Sequence, residues 1–318
     1  MKKLALLLAA LSVASVSYAK EVMPEAAPVV EEAPVVEEVV EVKAAPVLRV
    51  TSVGQELVVE NKSNANERGY EDVGDAIHLK NKVGLALGDS WTFDLMARKT
   101  WSASIDDHEA GDTKGAGMHS KAHRIDLQAT RHFENFSLGL RWRGERNQDA
   151  IFLPVSYNYG MVSGWFDPAY YFVNESKGQD YFYLEAEPVV LSYGPVQLAY
   201  YFEGYKWTGE GDGNAPKDTK SDYAHQARLR GTVYSNDAFS VGLEYRYQFA
   251  QDVEMVNGNK DVENNRHIGV LSGSYNVTEN LTLAGYYQYE FNKYEQHEGD
   301  VMDDDYYGEF GLGWTYNF

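Results

Sequence analysis

Cysteine is absent from all 318 residues. That single absence excludes a disulfide framework, a thiolate metal site and a lipid-bearing Cys after a leader. Proline is scarce at 9, and beyond the N-terminus no stretch approaches the roughly 18 consecutive apolar residues of a spanning helix. Basic residues are the minority, 28 against 48 acidic for a net charge of −20. A nucleic-acid partner calls for the opposite balance. No Gly-x-Ser-x-Gly elbow, phosphate loop or His-Glu-x-x-His pair occurs, so no cofactor, metal or catalytic centre is indicated.

What the chain has instead is Tyr, at 24, and Gly, at 28. The N-terminus reads as an export signal: Lys2 and Lys3, an apolar run from Leu4 to Leu11, and a small-residue site at Ser17-Tyr18-Ala19 that a signal peptidase would cut. Cleavage there removes two Lys and no acid, so −20 becomes −22. Residues 20–46 repeat phrases such as Ala27-Pro28-Val29-Val30-Glu31-Glu32, a composition that cannot build a core. They read as an extended periplasmic spacer, with a short pore-plugging helix over Glu37 to Lys43 as the alternative.

From Val47 the texture changes to segments of alternating polarity separated by turn residues, the pattern of membrane-barrel strands. Short connections are expected at Gly88-Asp89-Ser90, Glu134-Asn135, Ser163-Gly164, Gly194, Asn236-Asp237-Ala238 and Val277 to Asn280. Between them fall long polar stretches at 63–75, 104–121, 209–221, 251–265 and 295–305, with briefer ones near 147–150 and 176–179. The expectation is an all-β, antiparallel, up-and-down transmembrane barrel of about 14 strands over residues 47–318, an even number with both ends in the periplasm. Gly54 interrupts the first strand and suggests a bulge.

Tyr193, Tyr234, Tyr275 and Tyr316 recur every 41 residues, each closing an inward-running strand. Trp91, Phe136, Trp165 and Phe239 each follow a short turn. Together they are expected to form an aromatic girdle at the periplasmic interface. At the C-terminus Phe310, Leu312, Trp314, Tyr316 and Phe318 occupy alternate positions and so share one face, lipid-facing, of a last strand. That terminal pattern resembles the signature by which the barrel-assembly machinery recognises its clients.

Because lipid-facing positions must be apolar, the positions between them report the pore lining. Phe136, Leu138, Leu140 and Trp142 outside turn Arg141, Arg143 and Glu145 inside. Ile125, Leu127 and Ala129 outside turn Arg124, Asp126 and Gln128 inside. Ala227, Leu229, Val233, Val241, Leu243 and Tyr245 likewise turn Arg228, Arg230, Glu244 and Arg246 inside. Lys80, Lys82 and Arg98 join them, with Asp94, Glu185, Glu187, Glu203, Glu290 and Glu309 as balancing acids. Two Arg clusters, on the fourth and fifth and on the tenth and eleventh strands, would face one another across a wet lumen. A closed barrel stapled by a salt-bridge ladder is the alternative. The acidic loop 295–305 could fold into the mouth, meet the wall Arg, bind a divalent cation or stay hydrated.

The leader Met1-Lys2-Lys3-Leu4-Ala5-Leu6, the junction Ala19-Lys20-Glu21-Val22-Met23-Pro24, the Pro/Val/Glu spacer and the ending Tyr316-Asn317-Phe318 together resemble the FomA-type major outer-membrane porins of fusobacteria. The resemblance implies passive diffusion of ions and small hydrophilic solutes across the outer membrane, a homotrimer, voltage sensitivity and a surface-adhesin role. The Arg clusters also look like the arginine tracks of channels specific for acidic oligosaccharides. Asp106-Asp107-His108 and Asp303-Asp304-Asp305 loosely resemble the acidic and histidine pairs of the outer-membrane proteases called omptins, but they fall in long loops rather than on strand ends.

Overall fold

The computed structural model describes residues 47–64, 72–104, 117–174, 178–208, 219–255, 260–261, 263–295 and 305–318. The leader 1–19, the spacer 20–46 with its plug alternative, Asp106-Asp107-His108, Asp303, Asp304 and most of the acidic loop 295–305 lie outside the described residues.

In chain order the strands are β1 (Leu48–Asn64), β2 (Asp72–Leu87), β3 (Trp91–Ser104), β4 (Gly117–His132) and β5 (Phe136–Glu145). The sixth, β6, comes in two pieces, Gln148–Phe152 and Val155–Tyr159. There follow β7 (Val162–Val173), β8 (Tyr181–Tyr193), β9 (Val196–Trp207) and β10 (Thr219–Ser235). The last are β11 (Phe239–Met255), β12 (Glu263–Asn276), β13 (Leu281–Glu295) and β14 (Asp305–Asn317), with Lys260–Asp261 adding a short pairing to the end of β11. Each strand pairs antiparallel with the one before it. β14 pairs with β1, Ser52 lying opposite Asn317 and Asn64 opposite Asp305, so the sheet closes on itself. Closure satisfies every ladder group without an edge, which a sheet surrounded by hydrocarbon requires.

Local chemistry explains the hairpins. Gly160 and Gly194 open two-residue turns with φ of 73° and 56°, a conformation that joins tightly twisted strands and that a side chain resists. In the turn before β11, Asn236 accepts hydrogen bonds from the backbone N–H of Ala238 (2.9 Å) and Phe239 (2.7 Å). Pro154 has no N–H to give to the ladder, and it divides β6 in two. The chain stays in register there because the N–H of Gly139 reaches the Pro154 carbonyl at 2.7 Å.

The outer face is apolar. Along β5, Leu138, Leu140 and Trp142 are 49%, 55% and 38% exposed, whereas Arg141 and Arg143, on either side of Trp142, are 8% and 2% exposed. Outward rings gather at both ends. Trp91, Phe133, Phe136, Tyr193, Tyr234, Phe239, Tyr275 and Tyr316 mark the short-turn end, and Phe172, Phe182, Tyr247 and Phe249 the other. Phe310, Leu312, Trp314, Tyr316 and Phe318 are all exposed. A closed barrel of an even number of strands, with an apolar band between two aromatic belts, is the architecture of bacterial outer-membrane barrels, and this chain has it.

Four sequence expectations need correcting. The turn expected at Ser163-Gly164 is at Gly160 and Met161, so Trp165 lies inside β7 and its Nε1 faces Glu187 at 3.4 Å instead of joining the girdle. The first-strand bulge falls between Val50 and Ser52, not at Gly54. A Cβ on Gly54 would stand 2.7 Å from the Trp314 carbonyl, so its smallness serves close backbone approach at the closing seam. Gln148 to Ala150, read as loop, belong to β6, and only Arg146 and Asn147 connect it to β5. The strands also run further into the polar stretches than expected, β11 to Met255 and β12 from Glu263. Above the bilayer both faces meet water, so the ladder continues where the alternation has stopped.

Candidate functional site

The candidate site is the inner wall. Register stacks its residues in rows that cross several strands, because directly opposed residues share a face. One row runs Glu56, Lys80, Arg98, Arg124, Glu145 over β1 to β5. A second runs Met96, Asp126, Arg143, Ala150, Tyr171, Tyr181, Trp207 over β3 to β9. A third runs Asp94, Gln128, Arg141, Phe152, Ala169, Tyr183, Tyr205, Asp222 over β3 to β10.

The inward residues expected from sequence are found on this face. Lys80, Arg124, Asp126, Arg141, Arg143, Arg228, Arg246, Glu185, Glu187, Glu290 and Glu309 are buried. Arg98, Arg230, Glu203 and Glu244 are half-buried, and the Lys82 side chain and Asp94 are exposed. Asp126 is shared by Arg124, whose Nε donates at 2.9 Å, and by Arg143 at 3.1 Å. Arg141 meets Asp167 at 2.7 Å, and Arg98 lies 3.7 Å from Glu145. Glu187 takes both Arg228, at 3.0 Å, and Arg230. Arg246 pairs with Glu244 at 2.8 Å and Arg266 with Glu290 at 2.9 Å.

These pairs have a common direction. Each joins residues on one strand, on adjacent strands, or on strands with one between them, as Arg141 on β5 does with Asp167 on β7. The two Arg clusters sit on β4 and β5 and on β10 and β11, six strands apart one way round the ring and eight the other. Among the described residues no ion pair reaches from one cluster to the other. The side chains therefore lie along the wall and bind one another there, where low dielectric makes such pairs strong once formed.

Sequence reasoning missed the inward aromatics. Phe152 sits under the guanidinium groups of Arg141 and Arg143, 4.0 and 4.4 Å from its centroid, and Arg228 lies 3.4 Å over Tyr201. Tyr171 and Tyr181 stack at 4.5 Å, and Tyr205 stacks on Trp207 at 5.8 Å. The hydroxyls of Tyr201 and Tyr205 donate to Glu185 (2.9 Å) and Glu203 (2.7 Å). Parity was the available signal: Tyr201, Tyr205 and Trp207 share a register with Glu203, already placed inside. Buried Gln226, Gln248 and Gln288 were open to the same reasoning, since each lies two residues from Arg228, Arg246 or Glu290, but an uncharged amide did not draw attention to its side.

Toward the short turns the inner wall changes character. Ser156, Thr232, Ala284 and Thr315 are exposed, and Ser137, Ser192, Ser240, Ser272 and Ser274 are half-buried. Small hydroxyl residues thus line an accessible end, while the charged and aromatic rows occupy the middle and the end nearer the long connections.

No protein-family model and no curated protein matches the chain. Among solved structures it is similar to OmpT, an outer membrane protein of Vibrio cholerae, at 13% identity over 85% of this chain and 98% of that one, with a TM-score of 0.44. It is also similar to an anion-selective porin from Comamonas acidovorans, at 12% identity over 86% and 100% of the two chains and a TM-score of 0.42. A third, OccD3 of Pseudomonas aeruginosa, shares 11% identity over 85% of this chain and 91% of that one, with a TM-score of 0.43.

Proposed function

We propose that the barrel is a passive pore in the bacterial outer membrane, through which ions and small hydrophilic solutes diffuse along a charged aqueous lumen. The observation that carries this reading is the direction of the inner ion pairs, which bind the wall to itself and leave the axis alone. Fourteen strands about 4.8 Å apart and tilted by about 40° make a cylinder roughly 28 Å across between backbones. Arg side chains about 7 Å long, entering from both sides, take up about half of that width, and Arg124, Arg141, Arg143, Arg228 and Arg246 lie buried along the wall, 2–8% exposed. The hydroxyl-lined end then serves as a vestibule, and Lys80, Lys82, Arg98, Arg124, Asp126, Arg141, Arg143, Arg228, Arg230, Glu244 and Arg246 as the lining that biases ions by charge.

In the same proposal, the exposed alternate residues Phe310 to Phe318 present the assembly signal, and the homotrimer is the membrane-embedded state. The test is a planar bilayer: refolded protein should add stepwise conductance, with a reversal potential under a KCl gradient. Absence of steps from correctly folded barrels refutes the pore in favour of a closed barrel or an adhesin. Block by an acidic oligosaccharide but not by a neutral one of equal size would make the channel a specific one.

A further inference from the structure

We propose that the inner wall over β2 to β4 holds a small oxyanion, bound between Lys80 and Arg98. Register sets three cations side by side, Lys80 opposite Arg98 and Arg98 opposite Arg124. Neighbouring strands are only about 4.8 Å apart, and like charges directly opposed repel. Carboxylates close the row at each end, Glu56 beside Lys80 and Glu145 beside Arg124.

The carboxylates are too few for the cations. Glu56 gives its short contact, 2.7 Å, to Lys82 and leaves Lys80 at 3.8 Å, beyond hydrogen-bond distance. Asp126 serves Arg124 and Arg143 together. Glu145 stands 3.7 Å from Arg98. Among the described residues, five cations, Lys80, Lys82, Arg98, Arg124 and Arg143, thus face three acids at this level. The next carboxylate toward Lys80, Glu309, is engaged by the hydroxyls of Tyr286 and Tyr307.

The deficit is sharpest here. Lys80 is 2% exposed, and its Nζ has no hydrogen-bond partner among the described residues. The buried Nε atoms of Arg98, Arg141 and Arg230 have none either, but Arg141 and Arg230 hydrogen-bond Asp167 and Glu187 through their terminal nitrogens, whereas the nearest carboxylate to Arg98 stands at 3.7 Å. A buried ammonium whose one ion pair is 3.8 Å long and makes no hydrogen bond is costly, and an oxyanion seated between the opposed Lys80 and Arg98 positions would serve both groups. The ammonium supplies a point charge and the guanidinium an N–H edge, the donor pair that suits a phosphate or carboxylate group better than a spherical halide. The inference rests on the aqueous-lumen reading for the anion's route in, and it names the kind of solute the pore would retain.

Inorganic phosphate is the probe. Equilibrium dialysis of the full folded chain in detergent, at constant ionic strength against chloride, should show one saturable phosphate per chain. Lys80→Met and Arg98→Gln should each weaken it at least tenfold, whereas Lys220→Met, which removes an exposed lysine paired with Glu254, should leave it unchanged. Two variants keep the test alive if one fails to fold. Absent saturable binding, or equal binding in all three variants, overturns the proposal. A chain that conducts KCl in bilayers yet binds no phosphate loses the site and keeps the pore; one that binds phosphate without conducting keeps the site and loses the pore.

Discussion

Leu140→Arg should destabilise the barrel by about 2–4 kcal/mol relative to Leu140→Ala, the cost of an Arg on the lipid face near mid-bilayer. The position follows from geometry. Leu140 lies four residues beyond Phe136, which stands in the aromatic belt, and four residues at about 3.4 Å with a tilt of about 40° rise roughly 10 Å. That is close to half of an apolar band about 25 Å tall. Leu140 is 55% exposed, so in water the same substitution would move stability by only about 0.5 kcal/mol. The lower bound in lipid corresponds to a factor of about 30 in the folding equilibrium and to roughly 1 M in the urea midpoint for a slope near 2 kcal/mol per molar. The assay is urea unfolding of vesicle-embedded protein, followed by the gel shift between folded and unfolded forms. Equal midpoints for the Arg and Ala variants would refute the assignment of this face to lipid.

Glu187→Gln strips the shared partner from Arg228 and Arg230; urea unfolding should register a loss of roughly 3 kcal/mol, and the bilayer reversal potential should move toward anion preference. Gly311→Val places a side chain where the Tyr286 ring lies against the wall, and overpacking should cost about 1–3 kcal/mol in the same titration. Removing Phe318 should lower the yield of assembled barrel in cells while the protein refolded in vitro keeps its urea midpoint, because its ring is mostly exposed; a parallel loss in both would deny it a recognition role.

How much of this was legible depended on which force set each residue's face. Where lipid lay on one side, the alternation was strict, and Leu138 to Arg143 could be read strand by strand because hydrocarbon tolerates no error there. Where water lay on both sides, as at Gln251 to Met255, nothing penalised either face and the strand ends were invisible. Trp165 misled for a related reason. A ring is at home in the interfacial belt and equally able to donate its N–H to a buried carboxylate, so its type alone did not reveal its side. Which inward residue pairs with which was beyond any sequence pattern, since Arg141 finds Asp167 across an intervening strand.

The inner wall itself can be mapped because the chain contains no cysteine of its own. A single introduced thiol is then the only nucleophile of its kind, and its reaction rate reports access of a water-soluble thiol reagent to that position. Thr315 faces inward near the short turns and is exposed; Gln288 faces inward among the charged rows and is 1% exposed. Thr315→Cys should therefore react at least tenfold faster than Gln288→Cys in the folded, membrane-embedded protein, with Leu312→Cys on the lipid face slow as well. Each pairwise comparison isolates one claim. If Leu312→Cys matches Thr315→Cys, the inside and outside of the last strand are wrongly assigned. If Gln288→Cys matches Thr315→Cys while Leu312→Cys stays slow, the faces are right but the lumen is as open at its charged rows as at its hydroxyl-lined end, and the resistance to permeation must lie elsewhere.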